Sequence, residues 1–134
     1  MSIMSFAAQR IDHVEVLVHD LERSVRWYGE VLGLKEIGRF EPHPIMIGAG
    51  GTMLALFLAQ EPRRGPAPLD RQDPHWHLVA FRTDESDFAA AQEHLRSLGI
   101  PFRGPIDHQV SQSIYFQDPD GNPLELTWYS DPRW

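Results

Sequence analysis

The chain has 134 residues, 42% hydrophobic and 23% charged, enough for one compact unit with a real core. A formal charge of −7 argues against nucleic acid or an anionic membrane as partner, since neither would meet a basic patch. The absence of cysteine excludes disulfides, thiolate ligands and a cysteine nucleophile together, so any metal must rest on His, Asp or Glu, and seven histidines are present.

In chain order, residues 1–10 lack the basic end and long apolar run of a signal peptide, and no later stretch reaches membrane-spanning length. The cytoplasm is the expected compartment. Val14, Val16 and Val18 then alternate with His13, Glu15 and Leu17 at the period of a strand. Asp20 is placed to cap a helix with apolar positions Leu21, Val25, Tyr28 and Leu32, and Gly33 stops it. Strands are expected near 35–40, 44–48 and 52–59, with Gly48 to Gly51 as the last turn. A Pro-rich linker follows.

The second half repeats this order. Residues 77–82 read as a strand, Asp84 or Ser86 caps a helix with Phe88, Ala91, Leu95 and Leu98 on one face, and Gly99 ends it. Strands near 101–105, 113–117 and 124–129 complete the half, the last entered through the turn Asp118 to Asn122. His77 follows His13 by 64 residues, as Asp84 follows Asp20. The chain therefore reads as a duplication: module one at about 11–59, the linker at about 60–74, and module two at about 75–129.

Side chains alternate between the faces of a strand. If Val14, Val16 and Val18 meet the helix, His13 and Glu15 point away from it. The same alternation groups His77 with Val79 and Phe81, and Glu125 with Thr127 and Tyr129. His13, His77 and Glu125 are thus the candidate metal ligands, two imidazoles and a carboxylate suited to a divalent ion with open coordination positions. The fourth equivalent position is Ala55, which has no ligand atom, so three ligands are expected. Met53, Phe57, Phe81 and Tyr129 are candidate lining for an apolar or aromatic molecule.

From Ile11 to Tyr129 the chain resembles the vicinal oxygen chelate superfamily, which includes glyoxalase I, bleomycin- and fosfomycin-resistance proteins and type I extradiol dioxygenases. Asp12-His13-Val14 with Trp27 to Leu34 is similar to its first-module motif, and His77 to Phe81 with Asp118 to Glu125 to its second. The resemblance implies an α+β fold of two tandem βαβββ modules forming a cupped mixed β-sheet, a small-molecule substrate and a homodimer. His108, Tyr115, Asp118 to Gly121 and Glu125 further resemble the extradiol ring-cleavage signature. That likeness implies Fe(II), or else Mn(II), on His13, His77 and Glu125. It also gives His108 a contact with the substrate hydroxyl or the oxygen intermediate, and Tyr115 a part in binding and deprotonating a catechol. A departure is Gly51-Thr52, where many extradiol enzymes carry a further catalytic histidine.

The expected function is therefore a metal-dependent enzyme of the ring-cleaving dioxygenase type. The alternatives are a glyoxalase I-like enzyme or a thiol transferase of the fosfomycin-resistance kind, using Ni(II), Zn(II) or Mn(II). A third is a non-catalytic binding protein like those of bleomycin resistance. Arg39, Arg82 and Arg103 are available for an anionic substrate, without a cluster evident in the sequence.

Overall fold

A computed structural model describes residues 7, 9–60 and 76–134, which fall into two compact units, one on each side of residues 61–75. The Pro-rich linker and His75, a candidate rim residue, lie outside the described residues.

The first unit runs β1 (His13–Val18), α1 (Leu21–Leu32), β2 (Lys35–Arg39), β3 (Ile45–Ala49) and β4 (Thr52–Leu58). Its sheet has the order β1-β4-β3-β2, with β1 parallel to β4 and the remaining pairs antiparallel. As expected, the Asp20 side chain accepts the Arg23 N–H at the start of α1, and the Gly33 N–H donates to the Gly29 carbonyl at its end. The helix buries Ser24, Tyr28 and Val31 rather than the full row Leu21, Val25, Tyr28 and Leu32, of which only Tyr28 is buried. A helix seats a stripe wider than one row of side chains, and the small Ser24 lets it lie close. Under it sit Val16, Val18, Ile45, Ile47, Leu54 and Leu56, each contributing about 1.5–3 kcal/mol by burial.

The expected turn at Gly48 to Gly51 is shorter. Ala49 pairs with Thr52, so Gly50 and Gly51 alone make a two-residue hairpin loop, both at positive φ. Gly48 belongs to β3.

The second unit repeats the architecture with β5 (Val79–Arg82), α2 (Glu85–Ser97), β6 (Arg103–Asp107), β7 (Ser111–Gln117) and β8 (Pro123–Tyr129) in the order β5-β8-β7-β6. Asp84 caps α2 by accepting the Asp87 N–H. Phe88 and Leu95 pack from the helix toward Ile114, Phe116, Leu124 and Leu126. Leu98, expected on that face, follows the last helical residue and is exposed. Strand β6 begins at Arg103 instead of residue 101, because Pro101 has no N–H to donate to a ladder. The architecture is thus α+β, two βαβββ modules each forming a mixed four-stranded sheet, the glyoxalase-like fold. Among the described residues no helix is long and apolar enough to cross a membrane.

Candidate functional site

The side of each sheet turned away from its helix carries most of the candidate residues. In the first unit His13 pairs in register with Met53, Glu15 with Ala55 and Leu17 with Phe57, while Val14, Val16 and Val18 line up with Leu54, Leu56 and Leu58. His13 and Glu15 therefore share a face, as alternation requires. The His13 Nδ1–H donates to Asp12 Oδ2 at 2.9 Å, and Nε2 lies 3.4 Å from Glu15 Oε2. Asp12, then Glu15, holds the His13 imidazole above its ordinary pKa. The Asp12 carboxylate fixes the ring through Nδ1 and leaves Nε2 facing Glu15. A cation at Nε2 has to displace a proton, so its affinity would rise with pH. Asp12 was visible in the sequence, but its partnership with His13 is a matter of rotamer, which periodicity does not report.

In the second unit Glu125 pairs with Ala80 on one side and Tyr115 on the other, and Tyr115 pairs with Arg103. One row of side chains thus crosses the sheet. Tyr115 lies between the buried Ile114 and Phe116 and shares the face of Glu125. Ser113, fully buried, donates to Glu125 Oε2 at 2.7 Å, with Thr127 Oγ1 3.0 Å from the same hydroxyl. This support for Glu125 had no signal in the sequence beyond the shared parity of Ser113, Tyr115, Glu125 and Thr127.

His108 sits in the β6–β7 loop, where its N–H donates to the Ser111 carbonyl and the Asp107 carboxylate accepts the Gln109 N–H. That turn brings His108 Nε2 to 2.8 Å from the Tyr115 hydroxyl. Burial, and then the charge of Glu125, raise the Tyr115 pKa, with a Ser113 hydrogen bond and then the charge of Arg103 opposing them. The phenol is thus hydrogen-bonded to an imidazole, a pairing of the residue types used in acid–base work on a substrate hydroxyl.

His77 differs from expectation. It precedes β5 by two residues rather than beginning the strand. The register sets Val79 and Phe81 beside Leu124 and Leu126, and Ala80 and Arg82 beside Glu125 and Thr127. Val79 and Phe81 therefore join the apolar, helix-facing row rather than that of Glu125. The strand keeps its large apolar residues half-buried on the face of Leu124 and Leu126 and leaves Ala80 and Arg82 exposed. Matched row for row, Glu15 beside Ala55 corresponds to Ala80 beside Glu125, which carries His13 onto Leu78 and leaves His77 one residue earlier.

His13 belongs to the first unit, and His77 and Glu125 to the second. Among the described residues no three His, Cys, Asp or Glu side chains are grouped as a metal centre. As a donor set, two imidazoles and a carboxylate fit a divalent cation.

The family described as the glyoxalase/bleomycin resistance protein/dioxygenase superfamily matches residues 10–126, and the chain belongs to it. It is 29% identical over 124 residues to the catechol-2,3-dioxygenase of Bacillus subtilis, matching 92% of this chain and 42% of that protein. The chain thus spans less than half the length of that relative. It is 30% identical over 120 residues to the metallothiol transferase FosB of Lysinibacillus sphaericus, covering 88% of this chain and 81% of that one. The fold matches that of a glyoxalase/dioxygenase from Nostoc punctiforme with a TM-score of 0.77 at 24% identity, over 97% of this chain and all of the other.

Proposed function

We propose that this protein is a divalent-metal-dependent enzyme acting on a small phenolic substrate, of the catechol ring-cleaving dioxygenase type. The observation that carries this reading is the hydrogen bond between His108 and Tyr115, beside Glu125 on one sheet face. Tyr115 binds the substrate hydroxyl, and His108 receives its proton and returns it. His13, His77 and Glu125 would hold the metal, with Asp12 hydrogen-bonded to the first and Ser113 to the last of these. When bound, the metal, Fe(II) in this reading with Mn(II), Ni(II) or Zn(II) as alternatives, would supply Lewis-acid and redox chemistry for an oxygen-bearing substrate. The similarity to a catechol-2,3-dioxygenase supports the same reading. A homodimer is proposed as the commonest symmetric assembly, in the cytoplasm.

A thiol transferase is the second reading, favoured by the similarity to FosB, which spans most of both chains. Oxygen uptake with a panel of catechols after anaerobic Fe(II) loading separates the two. Uptake that is lost in Tyr115→Phe supports ring cleavage. Iron bound without uptake across the panel overturns it, and thiol-dependent turnover with Mn(II), Ni(II) or Zn(II) then establishes the transferase. A protein that takes up no divalent metal is left with the third reading, a non-catalytic binding protein.

A further inference from the structure

Arg103, Tyr115 and Glu125 occupy one row across β6, β7 and β8, each paired in register with the next. Side chains so paired lie about 5 Å apart at Cβ. The Arg103 guanidinium rests over the Tyr115 ring, 5.1 Å from its centroid. An irregularity accompanies this placement. The β6–β7 register slips between Arg103 and Ile106, and Gly104 within the slip has φ 112°. A Cβ on Gly104 would stand 2.7 Å from the Ser113 carbonyl oxygen, so the backbone here requires glycine. Bulges re-aim the side chains beside them, and this one sets Arg103 opposite Tyr115.

Arg39 is neutralised by Glu22 and Glu36, Arg96 by Glu93 and Arg133 by Asp131, whereas Arg82 lies over Tyr129 and donates to the Trp134 carbonyl, away from the row of Glu125 and Tyr115. Arg103 forms no ion pair among the described residues; its contact there is the Tyr115 ring. A guanidinium lying on an aromatic face keeps its edge N–H groups directed outward, in the fork that receives a carboxylate. In a protein of net charge −7, an exposed cation beside the group proposed to bind substrate selects for an anion that other surfaces would repel.

We propose that Arg103 recognises a carboxylate on the substrate, so that the site of Tyr115 and His108 selects a catechol bearing a short acidic side chain. This inference rests on the phenol-binding reading above and names the substrate class within it.

Calorimetric titration of the full chain with 3,4-dihydroxyphenylacetate and with neutral 4-methylcatechol tests the inference without turnover. The acid should bind about tenfold more tightly than the neutral catechol, the increment expected of a charge-assisted hydrogen-bonded pair. Arg103→Gln should abolish that preference by weakening binding of the acid about tenfold more than binding of 4-methylcatechol, and Arg103→Lys should restore part of it. Circular dichroism of each variant verifies the fold. Equal binding of the two compounds, weakened by Tyr115→Phe, overturns the role of Arg103 and keeps the phenol site. A preference that survives Arg103→Gln does the same. Binding of neither compound overturns the phenol site and the role of Arg103 together.

Discussion

His108 Nε2 and the Tyr115 hydroxyl lie 2.8 Å apart although one residue is in a loop and the other is within β7. The β6–β7 hairpin closes the gap, and the two rings meet edge to face. Removing either partner should therefore have much the same effect on turnover. Tyr115→Phe and His108→Gln are each expected to lower catechol turnover by about 10²–10⁴-fold, the range of a lost acid–base group. The double variant should fall little further, since the pair acts as a unit. Because the bond is exposed, the thermal midpoint should reflect a loss of only about 1 kcal/mol or less. Multiplicative losses in the double variant, read from steady-state rates, would separate the two residues' roles.

Ser113 offers a test of how Glu125 is held. Its hydroxyl is buried and donates to Glu125 Oε2. Ser113→Ala leaves the part-buried carboxylate without that donor and should destabilise the second unit by about 1–3 kcal/mol. Urea denaturation reads this directly. Divalent-metal affinity by titration should fall about 10- to 100-fold if Glu125 is a ligand.

Gly48 lies within β3, where an added Cβ would stand 2.3 Å from the Thr52 carbonyl oxygen and 2.8 Å from Ile37 Cδ1. Backbone cannot yield as a flexible side chain does. Gly48→Ala should cost about 1–3 kcal/mol by overpacking, seen as a lower denaturation midpoint. A substitution at the neighbouring Ala49, exposed at the hairpin end, should be near neutral, and comparing the two isolates the clash.

The cap of α2 makes stability pH-dependent. The Asp87 N–H and the Ser86 hydroxyl hold the Asp84 carboxylate below its ordinary pKa of 3.8. A carboxylate depressed in the folded state stabilises it above the unfolded pKa and loses that contribution as pH falls through the folded one. Asp84→Asn keeps a capping oxygen without the charge. The wild type should therefore have the higher melting temperature near neutral pH, and the difference should shrink below about pH 4. A difference that stays constant across that window would show that the charge contributes nothing.

Much of the architecture was legible because its signals are local. Asp20, Gly33 and Asp84 mark helix ends through groups within a few residues of one another, so the sequence alone located both helices. Alternation likewise placed His13 with Glu15, and Glu125 with Thr127 and Tyr129. What alternation cannot state is which parity faces the helix. For β5 that was decided by its pairing with Leu124 and Leu126 on β8, more than forty residues on, which puts Val79 and Phe81 in the apolar row and shifts the match between the halves by one residue.

The amino-acid sequence by itself thus determined the order of the elements, the repeat and the candidate donors, because caps, turns and periodicity act over short spans of chain. Only the tertiary structure decided that His108 meets Tyr115, that Ser113 holds Glu125, and that a bulge at Gly104 seats Arg103 on the tyrosine ring. These contacts depend on strand register and hairpin closure, which are settled by burial and backbone fit between segments that no local pattern connects.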